Sequence, residues 1–176
     1  MNLCQPYYIE KRDGNGHISL NGEWKFCWLD EGIENIDSLI YEHKSVMPAS
    51  IYYCLHNAGV LPHPYEGCNS KEYHWVDEKV WYFRKKFAVN SINFSGNAFL
   101  CFDGISYYSR VWLNGKLLGE HEGMFGGPCC DVSKDLNFDG DNEIVVEIKA
   151  CNYEKKQDYD FWNHQGKNTA VVPWNI

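Results

Sequence analysis

The chain predicts an all-β sandwich, and three observations carry that prediction. Apolar and polar residues alternate with period two in several short runs. Clusters of Gly, Asn, Asp and Ser separate those runs, and Asn114-Gly115 joins two of them at the spacing of a two-residue hairpin. The first run sets Trp24, Phe26 and Trp28 against Glu23, Lys25 and Cys27, the signature of a strand with one face in a core. A short helix follows: Ser50 is an N-cap after Pro48, Ile51, Leu55 and Ala58 recur at helical spacing, and Gly59 supplies the stop. A second helix candidate covers 33–41. The stretch 98–102 is apolar on both faces, as expected of a central strand. Val111, Trp112 and Leu113 then enter the Asn114-Gly115 turn and Lys116, Leu117 and Leu118 leave it, which requires positive φ at both central positions. In the last run Ile144, Val146 and Ile148 alternate with Glu143, Val145, Glu147 and Lys149, and Val145 alone breaks the pattern.

An ordered set of motifs runs through these elements. Phe102-Asp103-Gly104-Ile105 is followed by Val111-Trp112-Leu113-Asn114-Gly115, Leu118-Gly119, His121-Glu122-Gly123, Gly126-Gly127-Pro128 and Asp131-Val132-Ser133. Outside it lie Leu20-Asn21-Gly22-Glu23-Trp24-Lys25-Phe26, Val80-Trp81-Tyr82-Phe83-Arg84-Lys85-Lys86-Phe87 and Asp141-Asn142-Glu143-Ile144-Val145-Val146-Glu147-Ile148. In order and spacing the set resembles the N-terminal sugar-binding domain of glycoside hydrolase family 2, the family of β-galactosidases, β-glucuronidases and β-mannosidases. The resemblance covers roughly 19–150. It implies a jelly-roll β-sandwich of the galactose-binding-domain-like kind with one or two short helices, the whole of 1–176 forming one domain. The loop Tyr65-Glu66-Gly67-Cys68-Asn69-Ser70-Lys71-Glu72, followed by Trp75 and Trp81-Tyr82, looks more like the β-mannosidase branch than the β-galactosidase branch.

The length of 176 residues suits one domain. A (β/α)₈ barrel alone takes about 250 residues, so the barrel that carries catalysis in the resembled family does not fit in this chain. The formal charge of -8 argues against nucleic acid, because phosphate binding needs clustered Lys and Arg. No apolar run is long enough to cross a bilayer, and no signal peptide is visible at the N-terminus, which predicts a cytoplasmic protein. The eight cysteines are then expected to be reduced thiols, with Cys27 and Cys101 acting as small buried apolar residues of strands. Cys129 and Cys130 are neighbours on a strand and point to opposite faces, which disfavours a disulfide or a shared metal between them. After Ala150 the β pattern gives way, and the family's closing strand is not visible in 151–176. The chain ends on Val171-Val172-Pro173-Trp174-Asn175-Ile176, an apolar stop expected of a sequence cut short. Immunoglobulin-like and barrel domains of the same polypeptide are the partners the resemblance implies.

Retaining glycoside hydrolysis needs two carboxyl groups about 5–5.5 Å apart. The resemblance puts both on the absent barrel, so no catalytic residue is assigned. The sequence contains no nucleophile elbow, phosphate-cradling glycine loop, Cys-x-x-Cys or His-x-x-x-His pattern, and neither a metal nor a cofactor is expected. Asp139-Gly140-Asp141-Asn142-Glu143 resembles part of a calcium loop but lacks its far glutamate, and reads as a turn into a strand. Sugar binding is the sharper possibility, because sugars offer C–H faces to aromatic rings and hydroxyls that need donors and acceptors. The long stretch before Val80 carries Asn69, Glu72, His74 and Trp75, and the C-terminal stretch carries Trp162 and His164. These six are the candidate carbohydrate-binding residues, with a β-glycoside as the implied ligand. The competing reading is that the large rings anchor their loops on the sandwich or pack against a neighbouring domain. A freestanding carbohydrate-binding module and a structural or interaction domain therefore remain as alternatives to a hydrolase domain.

Overall fold

The computed structural model describes residues 18–89 and 96–150. Within them lie the strands β1 (Gly22–Leu29), β2 (His43–Met47), β3 (Val80–Ala88), β4 (Phe99–Cys101), β5 (Tyr108–Leu113), β6 (Lys116–Glu122), β7 (Cys129–Asp131) and β8 (Asp141–Lys149), and the helix α1 (Ile51–Asn57). Six strands form one antiparallel sheet in the order β2-β1-β3-β8-β5-β6, while β4 and β7 form a two-stranded sheet. The molecule is thus an all-β jelly-roll sandwich, with the core between the two sheets and α1 closing one end.

The register shows why the period-two runs fold this way. Phe26 pairs with Phe83, Phe83 with Val146 and Val146 with Val111, so one apolar row crosses four strands on the core face. Leu100, Phe102 and Val132 meet that face from the β4–β7 side, and Cys54 and Leu55 meet it from α1. The neighbouring row, Cys27–Tyr82–Glu147–Arg110, points to the opposite face. There Val80, Trp112 and Val145 join Cys27, Tyr82 and Ile36 in a second apolar cluster, covered by Ile33, Leu39 and Tyr41. Val145, the break in the last run, is apolar because its face is buried too.

The segment expected as a second helix covers this opposite face. It holds only a 3₁₀ turn, Ile36–Ser38, whose start is capped by the Asn35 side chain accepting from the Asp37 N–H. The expectation over 33–41 is corrected, and the reason lies in reach: an extended chain advances about 3.3 Å per residue against about 1.5 Å in a helix. Arg110 donates to both oxygens of the buried Glu147 at 3.0 and 2.7 Å, and Tyr82 Oη donates to Glu147 at 2.7 Å. The same two side chains pin the covering segment, for the Ile33 N–H donates to Tyr82 Oη and Arg110 donates to the Ile33 carbonyl.

Other elements form as the sequence predicts. Ser50 Oγ accepts from the Tyr53 N–H to start α1. The helix ends in a Schellman motif, with Gly59 at φ +71 donating to the His56 carbonyl and Val60 to the Leu55 carbonyl. Asn114 and Gly115 hold φ of 51 and 80, the type I′ turn of the β5–β6 hairpin. At the start of β8, Asn142 is fully buried and bonds both the N–H and the carbonyl of Asn137, so its amide holds the preceding turn closed. The stretch 98–102 differs from expectation. Leu100 and Phe102 are buried, but Phe99 is 57% exposed, and among the described residues β4 ladders only with β7.

Candidate functional site

The loop 61–79, between α1 and β3, is built on an aromatic base. Trp75 packs against Trp28 and Trp81 with ring centroids 5.5 and 5.8 Å away, and Trp28 stacks on His43 at 5.0 Å. Trp81 is itself buried, and its indole N–H donates to the Val76 carbonyl at 2.9 Å, fixing the 3₁₀ turn Val76–Glu78. Further along, the buried Tyr73 donates its hydroxyl to the Pro62 carbonyl at 2.6 Å, and Asn69 Nδ2 donates to the His63 carbonyl at 3.0 Å. The loop is thereby held at both ends and in the middle, which fits an irregular segment of this length inside a folded domain.

Fastened in this way, the loop turns some of its polar groups outward. Glu72 and His74 are exposed. Tyr65 is 68% exposed, and its ring leans towards His63, which in turn meets His56 of α1 edge-on at 5.0 Å. Tyr53 of α1, 42% exposed, approaches His63 from another side at 6.1 Å. These rings make a solvent-facing aromatic group beside Asn69, the kind of surface on which a sugar face can stack.

Beneath the loop lies a cleft lined by Ile51, Tyr52, Val76, Asp77, Trp81, Ser106, Ile148 and Ala150. Its cavity is about 20 Å³, room for about one water. The Tyr52 hydroxyl donates to Asp77 Oδ1 across 3.4 Å. Burial raises the Asp77 carboxyl above its ordinary value, and the Tyr52 hydrogen bond opposes the rise only in part. Burial and then the Asp77 charge likewise hold the Tyr52 hydroxyl above the usual phenol range.

Of the residues predicted from sequence, the structure brings Asn69, Glu72, His74 and Trp75 onto one fastened loop. Trp75 is part of the aromatic base, Asn69 spends its amide on closing the loop, and Glu72 and His74 face solvent. Trp162 and His164 lie outside the described residues. Sequence reasoning missed Tyr53 and the Tyr52–Asp77 pair. Tyr53 was within reach, since it falls off the Ile51, Leu55, Ala58 stripe of α1 and so had to face outward. The Tyr52–Asp77 pairing spans 25 positions and has no local signal. Among the described residues no group of three or more His, Cys, Asp or Glu side chains is placed to hold a metal, and no helix is long and apolar enough to cross a membrane.

Known proteins share this architecture. The family model described as glycosyl hydrolase 2 galactose-binding domain-like matches residues 24–172. The match passes well beyond Ala150, into the stretch where the sequence shows no closing strand. The β-mannosidase B of Emericella nidulans is 28% identical over 135 residues, covering 77% of this chain and 15% of that protein. The β-mannosidase B of Thermothelomyces thermophilus is 31% identical over 134 residues, 76% of this chain and 15% of that protein. Among solved structures, the β-D-mannosidase of Dictyoglomus thermophilum superposes with a TM-score of 0.66 at 30% identity, over 82% of this chain and 17% of that one. A β-glucuronidase of Ruminococcus gnavus shares the fold, with a TM-score of 0.57 at 23% identity over 76% of this chain and 22% of that one. The chain spans only about 15% of the curated relatives it matches. With the sandwich in place and the family model matched along most of its length, the chain belongs to the glycosyl hydrolase 2 galactose-binding domain-like family.

Proposed function

We propose that this chain is the N-terminal sugar-binding domain of a β-mannosidase-like glycoside hydrolase and forms one wall of a pocket whose catalytic carboxylates lie on a barrel elsewhere in the polypeptide. The observation that carries this reading is the loop 61–79, which is anchored from below by Trp75 and Tyr73 and leaves Glu72 and His74 exposed. Glu72 and His74 supply donors and acceptors for sugar hydroxyls, Asn69 adds its amide oxygen while its Nδ2 closes the loop, Trp75 supports them, and Trp162 and His164 are further sugar contacts in this reading. In this reading 1–176 is one domain, the stretch 151–176 leads on to immunoglobulin-like and barrel domains, the ligand is a β-glycoside, and the enzyme works in the cytoplasm.

The test begins with the gene beyond the codon for Ile176. A frame that continues into a barrel with two strand-end glutamates permits kinetics on the whole enzyme, where Glu72→Ala and His74→Ala are expected to raise KM for a β-mannoside more than they lower kcat. Unchanged KM in both variants would remove these residues from the pocket.

The exposed rings of Tyr53 and Tyr65 favour a second reading, a freestanding carbohydrate-binding module. Saturable binding of a simple sugar by the isolated chain, lost in Tyr65→Ala, would establish it. Self-association through these rings without sugar binding would instead mark an interaction domain.

A further inference from the structure

The outer face of the two-stranded sheet sets two cysteines against each other. In the β4–β7 ladder Phe99 lies opposite Asp131, Leu100 opposite Cys130 and Cys101 opposite Cys129. Successive strand residues point to opposite faces. Leu100 and Cys130 therefore turn to the core, where both pack, and Cys101 and Cys129 turn away from it together. Their sulfur atoms are 2.9 Å apart, closer than the roughly 3.5–4.0 Å at which unbonded carbon atoms settle. Directly opposed residues of an antiparallel pair have Cα atoms about 4.5–5.5 Å apart, inside the span of about 4.4–6.8 Å that a disulfide bridges.

Accessibility leaves this pair open to reagents, and Cys68, which is also exposed, lies on no strand and faces no cysteine in a ladder. Cys129 is exposed and Cys101 is half-buried, a correction to its expected burial that follows from its strand face turning away from the core, whereas Cys27 and Cys54 are buried. Burial pushes the thiols of Cys27 and Cys54 up to about 11, which suppresses the reactive thiolate. Cys130, next in sequence, faces inward with its sulfur 3.8 Å from the Leu118 carbonyl.

We propose that Cys101 and Cys129 are a thiol pair that low-molecular-weight disulfides of the glutathione type convert into a cross-strand disulfide. Cys129, the more exposed, loses its proton, and its thiolate attacks one sulfur of the small disulfide. The S–S bond of the reagent breaks, one half leaves as a thiolate, and the other half stays on Cys129 as a mixed disulfide. Cys101 then loses its proton and attacks the Cys129 sulfur, expelling the second half and closing the bridge. Two protein thiols and one small disulfide become one protein disulfide and two small thiols, so the protein gives up the two electrons that the reagent gains. The bridge joins positions 28 apart in the chain and ties together two strands of three residues each, enclosing the β5–β6 hairpin. Such a cross-link restrains the unfolded chain.

The experiment treats the full chain with oxidised glutathione, alkylates the remaining thiols, digests without reduction and maps the peptides by mass spectrometry. The expected result is a peptide pair joined through Cys101 and Cys129, two fewer alkylated thiols than in the reduced chain, and full reversal by dithiothreitol. Cys101→Ser is expected to retain glutathione on Cys129, because the group that expels it is gone. A stable glutathione adduct on Cys129 in the unsubstituted chain, a linkage through Cys68 in place of Cys101, or alkylation of both Cys101 and Cys129 after treatment would overturn the proposal. The peptide map of the unsubstituted chain decides the matter even if a variant folds poorly.

Discussion

Glu147 and Asp77 are two carboxyl groups that burial treats alike and their neighbours treat differently. Burial alone would raise Glu147, but hydrogen bonds from Arg110 and Tyr82, with the charges of Arg110 and Lys149, outweigh it and hold the carboxyl below its ordinary value. A lowered carboxyl contributes stability above its unfolded pKa and loses it as pH falls through the folded value. Arg110→Ala strands Glu147 in the sheet face and is expected to lower stability by about 3–5 kcal/mol in urea unfolding at neutral pH, with the deficit shrinking in acid. Asp77, raised by burial, behaves in the opposite sense. Its contribution is present below the unfolded pKa and is lost as pH rises through the folded one. Asp77→Asn is therefore expected to raise the thermal midpoint at neutral pH and to leave it unchanged in acid; a gain that persists in acid would mean that the carboxyl charge is not the cause. The charge of each group was legible in the sequence. The burial of each, and the partners Arg110 and Tyr82 of Glu147 and Tyr52 of Asp77, come from other elements of the fold and were not.

At the scale of elements, α1 shows how local signals suffice when they all agree. The Ser50 cap, the Ile51 and Leu55 stripe and the Gly59 stop each act within a few residues, and each does in the structure what it predicts. Ser50→Ala is expected to cost about 0.5–2 kcal/mol by chemical denaturation, the usual value of an N-cap side chain. A loss below the lower figure would show that tertiary packing, not the cap, holds the first turn. The segment 33–41 shows the limit of the same reasoning. Its apolar spacing admits a helix, but Asn35 captures the Asp37 N–H, and Tyr82 and Arg110 pin Ile33 from outside the segment. Those partners are 49 and 77 positions away, beyond the range of any local pattern.

At the scale of the molecule, the aromatic base of the loop 61–79 separates support from recognition. Trp75 is wedged between Trp28 and Trp81, so Trp75→Ala is expected to lower stability by about 3–5 kcal/mol at most, and less in proportion to the ring's partial exposure. The exposed Glu72 should be replaceable with a change within about 0.5 kcal/mol. Calorimetry of the two variants checks this, and it decides which of them can report on sugar without a folding artefact. By itself, the sequence determined the sandwich, the hairpin turn, the capped helix and the family, because alternation, turn chemistry and capping act over a few residues and leave a linear trace. Only the tertiary structure decided that the six-stranded sheet is covered on both faces, that Trp75 supports the loop while Glu72 and His74 face solvent, and that Cys129 meets Cys101. Those outcomes depend on strand register, and register brings together residues that nothing in their own neighbourhoods connects.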